Sequence, residues 1–325
     1  MAKREVKITQ DTNLSLYDGF KMFINSKRAN NISSDTIDFY EDCLHRFELF
    51  LQDEYDIENS NDIMLKRIDS DMIDEYKIHL NNSKIASTSI NTYLNGIRPV
   101  IYFLIDKEYI EPFKIPKVKA VKPKKQTYSD KELKTLLVKP NIKKCPFIEY
   151  RDWVIVNLLI GTGLRINTLV NIKIEDIDFD NNIMYCKTTK NKIEQVMPLS
   201  KTLSSVLKEY VQIRLSQPDI TPSDWLLCSR YGEKLTRNAL QHSLNKYNHR
   251  RGVETTGQHL YRHTFAKMWL LSGGDVSRLQ SILGHQDMEM IKEYVDIFLS
   301  DLQKDFDSFN PLENFKTRKS LKINI

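Results

Sequence analysis

Residues 148–165, IEYRDWVIVNLLIGTGLR, decide the fold of the larger part of this chain. Residues 148–160 are mostly apolar, which predicts a largely buried helix. Gly161-Thr162-Gly163 is expected to end that helix, because glycine adopts the left-handed conformation found at many helix ends. A second short helix, LRINTLVNI, should follow. The stretch therefore predicts a helical core interrupted by one tight turn.

The residues around this stretch predict one mixed domain over 128–325, with a C-terminal tail from about residue 300. Ser129 followed by Glu132 is a capping-box pattern and should begin a helix. Residues 174–198 alternate in strand fashion, with turn signals at 180–182 and 189–192, so we expect a small antiparallel sheet. Further helices are expected at 200–215, 235–250, 259–271, 275–283 and 287–299.

The first part of the chain shows only helical periodicity. Apolar residues recur at helical spacing from Leu14, and Ser33-Ser34-Asp35 offers a helix cap. Two more helices should begin near residues 69 and 87. We expect an all-α domain of about four helices over residues 11–112, so the whole chain is predicted to be mainly α with a small antiparallel sheet.

Composition excludes several classes of protein. The 325 residues suggest two domains, and no apolar run is long enough to span a membrane. The N-terminus lacks the apolar core of a signal peptide. The four cysteines form no CxxC pair, which disfavours a disulfide framework and a cysteine zinc site. We expect a cytoplasmic protein without a membrane partner.

Residues 113–127 form a basic segment rich in proline and lysine, which should be extended. A solvated linker is one interpretation, and a linker that lies along a phosphate backbone is the other. Residues 1–126 hold 19 Lys and Arg against 20 Asp and Glu, whereas residues 127–325 hold 29 against 23. The candidate DNA-binding residues of the segment are its six lysines: Lys114, Lys117, Lys119, Lys122, Lys124 and Lys125.

Four segments of the second domain carry unusual chemistry. They are GTGLR at 161–165, a strand turn with Lys190, HLYRH at 259–263, and LGH at 283–285 with Tyr294 nine residues later. Each has an ordinary structural explanation by itself, such as a surface arginine, a solvated lysine or a core tyrosine. Together they offer phosphate-binding arginines, proton-transferring side chains and a tyrosine nucleophile, without a carboxylate cluster for Mg²⁺.

This set resembles the tyrosine recombinases, the superfamily of phage integrases and Xer proteins. The family pattern is Arg, Lys, His-x-x-Arg, His or Trp, Tyr. The lysine assignment rests on its position eight residues before Pro198, and Lys187 and Lys192 lie in the same hairpin. The resemblance implies these catalytic residues: Arg165, Lys190, His259, Arg262, His285 and Tyr294.

The resemblance also implies how such a protein works. The arginines and His285 bind the scissile phosphate, Tyr294 forms a 3′-phosphotyrosyl link, His259 is the general base and Lys190 protonates the leaving 5′-hydroxyl. No metal or other cofactor is implied. The expected architecture is a C-shaped clamp of a SAM-like core-binding domain and a catalytic domain on double-stranded DNA core sites. Two protomers bind each site and four form the synaptic complex, and the C-terminal segment docks on a neighbouring protomer.

Some positions depart from the family. Thr168 stands where Glu is frequent, and Met290 and Ile291 stand where Thr is frequent. Only about 12 residues precede the first helix, so no arm-site-binding domain is expected. We expect the integrase or transposition recombinase of a mobile element, with a resolvase of chromosome or plasmid dimers or an invertase as alternatives. A partner recombinase, accessory proteins, loss of catalysis and a type IB topoisomerase-like activity stay open.

Overall fold

The computed structural model describes residues 14–55, 63–120, 126–187, 194–217 and 223–284. The chain divides into two compact units, Met1–Lys124 and Lys125–Ile325. Each unit has its own hydrophobic core. No helix among the described residues is both long and apolar enough to cross a membrane.

The described part of the first unit is helical. Its helices are α1 (Leu16–Ala29), α2 (Ser34–Tyr55), α3 (Ser70–Asn82) and α4 (Ser87–Asp106), with a short 3-10 helix at Leu65–Arg67. Local chemistry explains two of the starts, since the side chains of Ser15 and Asp69 accept backbone N–H groups at the beginnings of α1 and α3. The buried faces of the four helices meet in a core rich in aromatic rings, including Phe23, Phe47, Phe50 and Tyr76.

The chain after α4 lies against this first core. Residues 111–120 form neither helix nor strand, and Ile115 is only 4% exposed. The side-chain amide of Asn91 on α4 accepts the backbone N–H of Val118 and donates to the backbone C=O of the same residue. Arg98 donates to the carbonyl of Ile115, and the hydroxyl of Tyr102 accepts the N–H of Ile115. The start of the Pro/Lys segment is therefore bound to the first unit.

The second unit surrounds the buried helix that the sequence singles out. Helix α6 (Phe147–Thr162) has buried residues on every face. The other helices pack around it or beside it, and the surrounding core is apolar. Within the described residues, the helices of this unit are α5 (Asp130–Leu136), α6 (Phe147–Thr162), α7 (Ile166–Leu169), α8 (Lys201–Leu215), α9 (Arg237–Arg250), α10 (Gln258–Leu271) and α11 (Val276–Leu283). The helix expected at 287–299 and the tail expected from about residue 300 lie outside them.

A three-stranded antiparallel sheet interrupts the helices, as predicted. Its strands are β1 (Ile177–Asp178), β2 (Ile183–Cys186) and β3 (Gln195–Pro198), in the order β1-β2-β3. Asp178 closes the first turn by accepting the N–H groups of Asp180 and Asn181. The second turn lies outside the described residues. Cys186 pairs with Gln195, and Lys190 lies between these two residues in sequence.

Two boundaries differ from the sequence prediction. Residues Ile174–Asp176 form a 3-10 helix instead of a strand, because the carboxylate of Asp176 accepts the N–H of Lys173 and closes a turn. Helix α6 continues through Gly161 and Thr162 and ends at Gly163. Gly161 lies inside the helix where Leu203 packs close to the backbone, since a Cβ at this position would be 3.0 Å from Leu203 Cδ2.

Candidate active site

The turn after α6 requires glycine for two reasons. Gly163 caps the helix in the left-handed conformation, with φ +64°, and its N–H donates to the carbonyl of Leu159. A Cβ at this position would collide with the ring of Phe265 on α10 and lie 3.0 Å from Leu283 Cδ2. The GTGLR motif is therefore packed directly against α10, the helix that carries HLYRH, and against the end of α11.

Arg165 follows this turn at the cap position of α7. Its backbone is extended, and its carbonyl accepts the N–H groups of Thr168 and Leu169. The Arg165 side chain is half-buried, whereas Thr168 is 7% exposed. Thr168, the departure from the family pattern, thus belongs to the packed interior of this unit.

Arg262 joins three segments of the site. It lies on α10 with 3% of its surface exposed. One terminal nitrogen, Nη1, donates to the carbonyl of Gly163 at 2.6 Å, and the other, Nη2, donates to the carbonyl of Leu283 at 2.5 Å. The planar guanidinium therefore connects the GTGLR turn to the end of α11, directly before Gly284 and His285. These bonds orient Arg262 before any ligand binds.

His259 lies one helical turn before Arg262. It is exposed, and its ring centroid is 6.3 Å from that of His263, which is half-buried on the same helix. His259 is in the first turn of α10, which follows Gly257. The described residues therefore bring Arg262 into contact with the GTGLR turn and place His259 on the same helix, one turn away.

The sheet is tied to the same region by a residue that the sequence analysis did not identify. Gln195 begins β3, and its side-chain amide donates to the carbonyls of Ile282 at 2.6 Å and Ser281 at 3.2 Å. The base of the Lys190 hairpin is thus fastened to the end of α11. No local sequence signal distinguishes Gln195 from other polar strand residues, because its partners are 86 and 87 residues away.

One hairpin lysine has a defined partner. Lys187 Nζ is 2.5 Å from Oδ1 of Asp176, whose side chain is 3% exposed. The hydrogen bond with Asp176 raises the pKa of Lys187 above its ordinary value, against an opposing effect of desolvation. Lys187 therefore serves a structural carboxylate, although its own side chain is largely exposed.

The remaining sequence predictions divide between described and undescribed residues. Lys114, Lys117 and Lys119 are exposed, while Ile115 and Val118 between them turn toward the first core. The following predicted site residues lie outside the described residues: Lys190, His285, Tyr294, Lys122, Lys124 and Lys125.

One group of described residues has ligand atoms close enough to share a metal ion. These atoms, from Asp53, Glu54 and His79, all lie within 4.8 Å of one another. The three residues belong to α2 and α3 of the first unit, and His79 Nδ1 lies 3.1 Å from Glu54 Oε1. We interpret the group as a surface contact between the two helices. None of its members is a predicted catalytic residue.

Two family profiles match the chain. The phage integrase family matches residues 127–299, and the phage integrase SAM-like domain matches residues 15–120. Tyrosine recombinase XerC of Staphylococcus aureus is 28% identical over 298 residues, which cover 89% of this chain and 95% of the relative. Tyrosine recombinase XerA of Thermococcus kodakarensis is 31% identical over 230 residues, which cover 70% and 77%.

Solved structures agree with the fold. The Tn1549 transposon integrase in complex with circular intermediate DNA aligns with a TM-score of 0.68 at 15% identity, over 86% of this chain and 95% of that one. A lambda integrase dimer bound to a COC′ core site aligns with a TM-score of 0.65 at 15% identity, over 84% and 95%. The XerH site-specific recombinase bound to difH substrate aligns with a TM-score of 0.61 at 21% identity, over 86% of this chain and 82% of that one. The predicted fold class is confirmed.

Proposed function

Because this chain belongs to the phage integrase family, and is a tyrosine recombinase by homology, we propose that it cuts and rejoins double-stranded DNA at specific sites through a phosphotyrosine at Tyr294. The position of Arg262 is the observation that carries the proposal. Its two hydrogen bonds connect the motif that contains Arg165 to the residues directly before His285. Motifs distant in sequence are joined as one phosphate-binding site requires.

The arginines act on the charge of the reaction. Attack on a phosphodiester increases negative charge on the non-bridging oxygens, and donors that are already oriented stabilise that charge without reorganising. Arg165 and Arg262 bind these oxygens, and His285 donates a further hydrogen bond. The backbone carbonyls that hold Arg262 keep its plane fixed while the phosphate changes geometry.

The covalent step exchanges one phosphodiester for another. The phenol oxygen of Tyr294 forms a bond to phosphorus, and His259 accepts the phenol proton. The bond from phosphorus to the 5′-oxygen breaks, and Lys190 supplies a proton to that oxygen. A 5′-hydroxyl of another strand then attacks the phosphotyrosine and releases Tyr294. The number of phosphodiester bonds is conserved, so no ATP is consumed.

The hairpin chemistry supports Lys190 over Lys187 as the general acid. Lys187 is held by the buried carboxylate of Asp176, so its ammonium already has a structural partner. A substrate with sulfur in place of the bridging 5′-oxygen tests the assignment, since a thiolate leaves without a proton. We expect Lys190→Ala to cleave the oxygen substrate slowly and the sulfur substrate at the wild-type rate. Lys187→Ala should show no such difference, and sulfur rescue of Lys187→Ala would reverse the assignment.

DNA contact along the Pro/Lys segment is supported by three exposed lysines. Phe113, Ile115 and Val118 of this segment pack on the first core, which leaves Lys114 and Lys117 facing solvent. Lys119 is exposed as well. Each neutralised phosphate adds about 0.9 to the salt slope of duplex affinity, so replacing all three lysines by Gln should lower it by roughly 2–3. An unchanged slope refutes contact with phosphates by these lysines.

The assembly and the biological role are the finer parts of the proposal. Two protomers bind each core site and four form the synaptic complex, with a C-terminal segment docked on a neighbour. We propose the integrase or transposition recombinase of a mobile element, with a resolvase of chromosome or plasmid dimers as the alternative. The chain is similar to relatives named XerC and XerA, and its fold also resembles that of the Tn1549 transposon integrase. Identification of the target site therefore discriminates between the two roles.

The decisive experiment uses nicked suicide duplexes that span the DNA on either side of the gene for this protein. We expect a protein–DNA adduct that survives SDS with wild type and is absent with Tyr294→Phe. A site at the borders of an element supports the mobile-element role, and a single chromosomal or plasmid site supports resolution. Equal adduct with Tyr294→Phe refutes the nucleophile. Salt-sensitive binding without adduct points to a missing partner or a distant site, and the same result with both supplied favours a protein of this fold without catalysis.

A further inference from the structure

A buried polar cluster lies behind the helix that carries His259 and Arg262. It comprises Tyr128, Asn248, Tyr261 and Thr264, each at most 3% exposed. The Tyr261 hydroxyl donates to Asn248 Oδ1 at 2.7 Å, and Asn248 Nδ2 donates to the Tyr128 hydroxyl at 2.9 Å. The backbone N–H of Tyr128 donates to Thr264 Oγ1 at 2.9 Å. We call these four residues the α10 anchor.

The α10 anchor joins parts of the chain that are far apart in sequence. Tyr128 lies two residues before α5, Asn248 is near the end of α9, and Tyr261 and Thr264 are on α10. Asn248 also donates to the carbonyl of Thr255, in the loop that leads into α10. The hydroxyl of Thr255 in turn donates to Glu132 of α5. The anchor therefore holds both α10 and the loop before it against α5 and α9.

Helix α10 begins after a glycine. The residue before it is Gly257, with φ +150° and ψ +134°, and no side chain caps the helix. The first N–H groups of a helix have no partner within the helix, so an uncapped first turn frays readily. His259 lies in this turn. Further along the same helix, Tyr261 and Thr264 make buried, directional hydrogen bonds.

The two phenols of the anchor stay neutral. Burial raises the pKa of Tyr261 far above its ordinary value, and burial also raises the pKa of Tyr128. The two rings contact each other, with centroids 4.7 Å apart. Thr264 donates to the carbonyl of Leu260 one turn earlier and still accepts the N–H of Tyr128, so its hydroxyl is used in both directions. The carbonyl of Thr255 can only accept, so the Asn248 atom that faces it is Nδ2 and the amide has one orientation.

From this geometry we propose that the α10 anchor is a positioning device for the reaction, which holds His259 and Arg262 in place for proton transfer and phosphate binding. The inference rests on the proposed roles of those two residues. Tyr128, Asn248, Tyr261 and Thr264 touch no substrate in this scheme and act through the helix. Small displacements of a catalytic group lower a rate far more than they lower affinity, so the anchor should govern the rate of cleavage and not the binding of DNA.

The test compares hydroxyl deletions inside and outside the anchor. Tyr261→Phe and Thr264→Val each remove one anchor bond. The matched control is Tyr247→Phe, since Tyr247 is fully buried in the same core and its hydroxyl donates to the carbonyl of Leu136 instead. All three substitutions leave one buried group without its partner, so we expect similar losses in melting temperature. Thr264→Ser keeps the hydroxyl and should therefore retain the anchor bond that Thr264→Val loses.

We expect adduct formation at saturating protein to slow by about 10- to 100-fold in Tyr261→Phe and Thr264→Val, with duplex affinity unchanged. Tyr247→Phe and Thr264→Ser should cleave at the wild-type rate. Equal rates in Tyr261→Phe and Tyr247→Phe overturn the proposal. Amide hydrogen exchange over residues 258–264 needs no activity: faster exchange in the two anchor variants alone supports the proposal, and unchanged exchange refutes it. Absence of adduct in wild type, with faster exchange in those variants, refutes the catalytic proposal and leaves the anchor intact.

Discussion

Replacing Gly163 by alanine tests how the GTGLR turn is held. An alanine at φ +64° costs about 1–2 kcal/mol for its left-handed conformation. Its Cβ also collides with the Phe265 ring and approaches Leu283 to 3.0 Å, and overpacking of this kind costs about 1–3 kcal/mol. We therefore expect Gly163→Ala to lower the free energy of unfolding by about 2–5 kcal/mol.

Gly252 offers the matched control for this substitution. It has φ +70°, and a Cβ there meets nothing within 4 Å. Gly252→Ala should therefore cost only the conformational part, about 1–2 kcal/mol. The difference between the two variants measures the collision with Phe265 and Leu283. Combining Gly163→Ala with Phe265→Leu should cost less than the sum of the single effects, since the two residues are in contact.

Tryptophan fluorescence during urea unfolding is the appropriate assay. The three tryptophans, at 153, 225 and 269, all lie in the second unit, so the signal reports on the unit that contains Gly163. Each kcal/mol corresponds to about 2–4 °C in melting temperature for a unit of this size. Equal losses in Gly163→Ala and Gly252→Ala would refute the packing argument, because the contact with Phe265 would then carry no energy.

Three further predictions concern other contacts of the second unit. Asp152→Asn breaks a buried ion pair, in which Arg151 Nη2 lies 2.8 Å from Asp152 Oδ1. It should lower the free energy of unfolding, measured with urea, by about 3–5 kcal/mol. Glu209→Gln, which breaks an exposed pair with Lys139, should lower it by less than about 1 kcal/mol. Hydrogen bonds from the Ser129 backbone and side chain lower the pKa of Glu132. Ionised Glu132 therefore stabilises the fold above its unfolded pKa, and this contribution is lost as pH falls through the lower folded pKa. In Glu132→Gln the free energy of unfolding should depend less on pH below about pH 5, and an unchanged acid profile contradicts this. Arg262→Lys should slow adduct formation by about 10²–10³-fold while duplex affinity persists, since a lysine cannot satisfy two carbonyls and a phosphate together, and a wild-type rate would remove Arg262 from the mechanism.

Local features of this fold were predictable because their partners are close in sequence. The capping box of Ser129 and Glu132 forms as predicted, with both of its hydrogen bonds, because the two residues are three apart. The turn after β1 forms where Asp180-Asn181-Asn182 predicted it. The short 3-10 helix at Ile174–Asp176 escaped prediction because the apolar alternation there resembles a strand. Its cause is one carboxylate that accepts the N–H of Lys173.

Contacts within the site were not predictable in the same way. The sequence indicated Arg262 as a phosphate ligand, and it did not indicate that the carbonyls of Gly163 and Leu283 hold its guanidinium. Gln195 had no signal at all, although it ties the sheet to α11. Backbone carbonyls carry no side-chain identity, so any residue type at 163 or 283 offers the same acceptor. Only the packing of α6, α10 and α11 selects which carbonyls meet the arginine.

The sequence indicated the family, the helical class of both units and the candidate catalytic residues. It did so through residue types at set spacings, which record chemistry and local hydrogen bonding. The tertiary structure alone decided that Gly163 packs under Phe265, that Lys187 serves Asp176, and that Asn248 fastens α10 from behind. These depend on side chains that meet across long stretches of chain, where burial makes each hydrogen bond directional and each missing partner costly.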